Sequence, residues 1–304
     1  MFDTFALVAA FGGGIVGAYM GALPAFIMTG IYAIIGGIVT ATGTTGDIAV
    51  GILAFGSFVG PHIAFAGGVA AAAYAASKGK LASGADICSA LNGLGAPDVL
   101  LVGGIFGVLG YVIATFIGTL PIIGAGQCAA TDLPGITVII SGIISRLVFG
   151  KTGLTGKYTG TAPRQYIASG AAFMTNVVLG LGIGILVAGI SVMLKDNPAA
   201  LGIFPIIVFG FAAITLIFSQ TGFAMPATHQ IFLPGALAAG VGLANFGPAG
   251  ALAFGIVFAI LGSVIADFVG RTFNSYADSH IDPPAMTIFF LTSVISAIGS
   301  ALAK

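Results

Sequence analysis

Glutamate is missing from this chain, and all nine of its acids are aspartate. Tryptophan is missing too, cysteine occurs only twice, and charged residues make up 6% of the 304 positions. Each absence excludes something. So little charge cannot solvate the surface of a soluble domain of this length. Nine cations balance nine acids, so there is no basic surface for nucleic acid. Cys88 and Cys128 lie in different segments, too few for a disulfide framework or a metal cluster. Without Trp, any interfacial aromatic belt rests on Tyr and Phe. No Walker-type loop, HExxH, paired carboxylates or Ser/His/Asp set occurs. Neither phosphate-driven transport nor an enzyme is therefore expected, and no cofactor. The charged start of a signal peptide is absent as well, since the first cation is Lys78; the first apolar run reads as a permanent span.

What is present is apolar. Hydrophobic residues make up 58% of the chain and the mean hydropathy is +1.15. This composition predicts an all-α polytopic protein whose solvent is the lipid bilayer, in a prokaryotic inner (cytoplasmic) membrane. Hydropathy places spans near 5–22, 25–42, 48–76, 97–118 and 134–149. A second set follows near 167–193, 203–218, 220–243, 248–270 and 284–302. The third and eighth are broken. Lys78 and Lys80 follow the third span, and Lys151, Lys157 and Arg164 follow the fifth, which puts both loops in the cytoplasm and the N-terminus outside. Lys195 is a minor exception to that rule. Arg146, near a span end, is expected to snorkel to the interface. The 49 glycines read as close helix contacts. Gly13, Gly17 and Gly21, then Gly103 with Gly107 and Gly180 with Gly184, are spaced for internal packing, and they also allow a homo-oligomer.

The two sets resemble each other. Phe58 and Pro61 match Phe223 and Pro226, 165 residues on, and His62, Phe65 and Gly68 match His229, Phe232 and Gly235, 167 residues on. Val112–Gly118 (VIATFIG) matches Val264–Gly270 (VIADFVG), and Asp132, Pro134 and Thr137 match Asp282, Pro284 and Thr287. Five spans per half force opposite orientations. The expectation is two inverted repeats, 1–160 and 161–304, forming one membrane domain with a binding site between their broken helices.

The broken stretches carry the candidate ligands. His62 and His229 are costly at membrane depth and suit solute binding or proton coupling. Ser57, Gln220, Thr221 and Thr228 offer neutral hydrogen-bonding groups beside them. Asp132 and Asp282 each precede a proline and an apolar run, the pattern of a capped helix start, with Thr137 and Thr287 one turn further on. Asp267 is a coupling-ion candidate along with Asp132 and Asp282, and is spaced to pair with Arg271.

Leu133-Pro134-x-x-Thr137 and Pro284-x-x-Thr287 resemble the LPxxT start of the signature that urea transporters carry once per half. That resemblance implies two inverted five-helix repeats around a small-solute path. The Pro-Phe that follows in that family is replaced here by Val138-Ile139 and Ile288-Phe289.

These features predict a permease or channel for a small polar solute, neutral or a monovalent anion. Two other readings stand beside it. One is a non-catalytic subunit of a larger membrane complex. The other is a membrane-embedded enzyme using His280 with Asp278 and Asp282 in one loop.

Overall fold

A computed structural model describes residues 3–120 and 131–303. Cys128 and most of the 119–133 loop lie outside the described residues. Among the described residues the architecture is all-helical. Helices α1 (Thr4–Met20) and α2 (Ala22–Ala41) turn on Gly21, whose φ of 94° favours glycine. Two short wide-turned segments follow, Ile48–Ala54 and Pro61–Phe65, with irregular backbone at 55–60 between them. The second runs directly into α3 (Ala66–Ser77). Then come α4 (Pro97–Gly118), α5 (Leu133–Phe149), α6 (Gly170–Met193) and α7 (Pro198–Ile214). The single turn α8 (Ile217–Gln220), the long α9 (His229–Phe273) and α10 (Pro283–Leu302) complete the chain. α9 is two helices joined at a kink, for Gly247 has φ 66° and ψ −160° inside it.

Counting α7 with α8 as one span (Pro198–Gln220), six of the described helices are long and apolar enough to cross a membrane, whereas α1 and α5, at 17 residues each, are shorter. Their outward faces carry exposed Ile105, Phe116, Val178, Phe211 and Val257, side chains that lipid solvates and water does not. The chain is an integral membrane protein on these grounds.

Both broken stretches exist, and the second contains Pro226 as expected, but not Pro234. Helix is absent over 221–228 and resumes at His229, so Pro234 sits inside continuous, buried helix. A proline there frees the carbonyl four residues back, that of Gln230. This carbonyl points at Gly262, where an added Cβ would lie 2.2 Å from it. Glycine on the neighbouring segment lets the helix absorb the proline. In the first half the His62 carbonyl approaches Gly110 in the same way, at 1.7 Å from an added Cβ.

Packing uses the small residues. α1 lies on α4, with Gly14 against the Gly103 carbonyl, and Gly17 lies against Ala64. α6 lies on the second part of α9, with Gly180 and Gly184 against Ile260 and Ile256. α2 packs on α7, and α5 on α10. These glycine ridges are therefore consumed within the chain, where close approach gains dispersion contacts that lipid does not supply.

At one end of the bundle three loops meet. Gly84 bridges Ser279, the Lys157 amide donates to the Tyr276 carbonyl at 2.8 Å, and the Lys151 amide donates to Asp278 at 2.6 Å. Arg146 holds this end together and corrects the snorkelling expectation: its side chain is 1% exposed. It donates to the Ser279 hydroxyl at 2.9 Å, to the Leu154 carbonyl at 2.7 Å, to the carbonyls of Phe273 and Ser279, and to the Asn274 side-chain oxygen at 3.4 Å. A lipid-facing arginine would have left those carbonyls to water.

Asp278 gives this end a pH dependence. Partial burial pulls its carboxyl upward. The Lys151 amide, the Thr152 hydroxyl at 2.7 Å and the nearby Arg146 charge outweigh that, so the group titrates below the ordinary carboxylate range. A carboxylate favoured by folding contributes its full stability above the unfolded value and loses it as pH falls through the folded one. Thermal unfolding in detergent is expected to drop below about pH 4. Asp278→Asn is expected to flatten that drop; an unchanged profile would refute the assignment.

Candidate functional site

A cavity of about 410 Å³ opens where the broken stretches, α2, α5, α7 and the start of α10 converge. It is a size suited to a small molecule. One wall is aromatic. Phe26 on α2 stands edge-on to Phe209 on α7 at 5.6 Å between ring centroids and to Phe65 at 5.9 Å, and Phe55 adjoins Phe209 at 5.5 Å. His229, the first residue of α9, lies against Phe26 at 4.6 Å and Phe209 at 5.7 Å.

Polar groups come from two helix starts. Asp132 caps α5 by accepting from the Gly135 amide. Asp282 caps α10 by accepting from the Ala285 amide at 2.7 Å. The two starts cross closely, since a Cβ added to Gly135 would lie 3.1 Å from the Ala285 carbonyl oxygen. Each proline then occupies the first turn, where its missing N–H costs nothing. His280 Nε2 lies 3.1 Å from Asp282 Oδ1, and His280 Nδ1 lies 3.4 Å from the Asn274 amide nitrogen. Nε2 as donor and Nδ1 as acceptor satisfies both contacts.

The sequence candidates divide. His229, Asp132, Asp282 and Asp267 line the cavity. Asp267 is already engaged: both its oxygens accept from Arg271 Nε at 2.9 and 3.0 Å, and one accepts from the Ala168 amide at 2.7 Å. His62, Ser57, Gln220, Thr221, Thr228, Thr137 and Thr287 are not among the lining residues. Ser57 donates to the Ala6 carbonyl at 2.9 Å, tying the first break to α1. Gln220 donates to the Cys88 carbonyl at 2.9 Å, tying α8 to the 78–96 loop. Thr221 bonds the Ile217 and Phe218 carbonyls. Thr137 and Thr287 are fully buried and bond the carbonyls four residues back on their own helices, at 2.8 and 2.9 Å. Thr228 is buried, directly before α9. His62 is buried, with its backbone carbonyl against Gly110 of α4, and its Nδ1 has no partner among the described residues.

The cavity also carries polar residues that the sequence reading did not place in the solute site: Gln230, Asn176, Ser263 and Asn274, with His280. Gln230 neighbours His229 and was the one signal available. Asn176 and Ser263 lie on otherwise apolar helices, where a lone polar residue is as often a backbone-bonded one. Asp278, proposed beside His280, turns away to Lys151 and Thr152. Among the described residues no group of three or more His, Cys or Asp side chains is placed to hold a metal ion.

One family model, described as a family of unknown function (DUF7973), matches residues 1–167 and residues 162–302. No curated protein and no solved structure matches the chain.

Proposed function

Because the chain belongs to the DUF7973 family, whose description assigns no function, we propose one from its own geometry: it is a membrane permease or channel for a small polar solute. The observation that carries this reading is the 410 Å³ cavity itself, walled by aromatic rings and provided with polar groups at two helix starts and beside a helix break. Irregular backbone at membrane depth is tolerated where it faces protein or a wet cavity, and Phe55, Pro61, Met225 and Ala227 bring parts of both breaks to the cavity wall. Recurrent pairings support two structural repeats of opposite orientation about this cavity: α1 on α4 and α6 on the second part of α9, with α2 on α7 and α5 on α10 between the halves. The reading places the three-loop end, with Lys78, Lys151 and Arg271, in the cytoplasm, and the N-terminus outside a prokaryotic inner membrane. Lys and Arg are absent from the described lining, which removes support for an anion.

The test is uptake into proteoliposomes of the purified chain, followed by light scattering and tracer flux, with a panel of small neutral amides and polyols, monovalent cations and monovalent anions. Saturable entry of at least one solute above that of empty liposomes is the expected result. Entry of none would sink the reading and favour a subunit of a larger complex.

A further inference from the structure

We infer that the solute of this cavity is a small monovalent cation bearing N–H donors, of the protonated-amine or guanidinium class; the inference rests on the permease reading of the same cavity. Charge comes first. Asp132, Asp267 and Asp282 line the cavity with no Lys or Arg beside them in the lining. Arg271 meets the charge of Asp267. Asp282 meets His280 Nε2 at 3.1 Å and the Ala285 amide at 2.7 Å, with no Lys or Arg partner among the described residues. The carboxyls of Asp132 and Asp282 therefore have no Lys or Arg partner among the described residues. Each caps a helix whose N-terminus carries roughly half a positive charge, so with both ionised the site would hold a net charge of about −1. A monovalent cation brings that to neutrality, while a monovalent anion raises it to about −2 in a poorly screened setting.

Hydrogen-bonding capacity points the same way through different residues. His229 and Gln230 are each 5% exposed and line the cavity. Gln230 spends its amide N–H on the Ala227 carbonyl at 2.8 Å, and its Oε1 is left without a partner among the described residues. His229 Nδ1 is likewise unpartnered. Buried polar groups are seldom left so, and a ligand is one reason they are. Unused acceptors call for donors. The rings of Phe26, Phe65 and Phe209 complete the match, because an aromatic face attracts a cation and does nothing comparable for an anion.

The experiment measures current from proteoliposomes on a solid-supported membrane, with millimolar pulses of guanidinium or methylammonium. Acetamide flux is followed in parallel by light scattering. The expected result is a saturable current carrying positive charge inward, absent from empty liposomes. Asp132→Asn retains the cap, since Asn caps as well as Asp, and removes the charge. It is expected to weaken the apparent affinity on the order of tenfold. Acetamide flux with no cation current and no calorimetric binding of either cation would overturn the inference and leave the permease reading standing. Silence of every solute, cations and acetamide alike, would overturn both.

Discussion

Arg146→Met is expected to lower the stability of the purified protein by about 3 kcal/mol or more, the largest loss of any single substitution outside the helix interfaces. The reasoning counts acceptors. Arg146 is the donor to three backbone carbonyls, those of Leu154, Phe273 and Ser279, and to two side-chain oxygens. Met fills much of the same volume but donates nothing. Each buried carbonyl left without a donor costs roughly 1–3 kcal/mol, and Ser279 is itself fully buried, so water does not readily replace the guanidinium there. Arg146→Lys is expected to recover less than half of the loss. An ammonium has three donors at one point, whereas these acceptors are spread around a planar fork. The measurement is thermal unfolding in detergent, with limited proteolysis of the 150–169 and 274–282 loops as a local readout. A Met variant that unfolds at the wild-type temperature with both loops protected would show that the arginine is dispensable.

Arg146 also marks the limit of what the sequence made legible. Helix limits were legible because hydropathy and punctuation agree. Pro97 and Gly118 bound α4 at the expected residues, and Asp132 and Asp282 cap α5 and α10 as their spacing with Pro134 and Pro284 required. The existence of two breaks was legible from Pro61 and Pro226 with their polar neighbours. That Pro234 sits in continuous helix was not, because it is Gly262, 28 positions on, that receives the displaced carbonyl. The fate of each hydroxyl was equally hidden. Thr137 and Thr287 occupy matching positions and were read as ligands, yet a threonine on a helix has an acceptor one turn back whatever faces it. A cation near a span end was read as snorkelling because the acceptors that bury Arg146 are chiefly distant in sequence, around residues 273–279. Local pattern identifies elements; which side chains meet across the bundle is decided by tertiary approach.

The pair His62 and His229 turns this difference into a measurement. They correspond in the two halves and were expected to act together. The structure gives them different surroundings. His229 lines the cavity against Phe26 and Phe209, next to Gln230, and the two capping aspartates line the same cavity. His62 is not among the residues lining the cavity; its backbone carbonyl meets Gly110, and its Nδ1 has no partner among the described residues. The same substitution should therefore have opposite consequences. His229→Leu is expected to reduce solute uptake on the order of tenfold or more, because a bound solute loses a polar contact worth about 1.5 kcal/mol in a desolvated site. His62→Leu is expected to leave uptake per folded molecule near the wild-type rate and to leave the unfolding temperature unchanged or raised. Leu approximates the ring's volume and removes a buried nitrogen that has no partner, a change that costs little when nothing was bonded to it. Uptake in proteoliposomes and thermal unfolding, run on both variants, separate the outcomes. Equal loss of uptake in both, with both folded, would restore a paired-histidine site and contradict the cavity as described. Loss in His62→Leu alone would move the path to the α4 side of the first break, where the Gly110 contact lies.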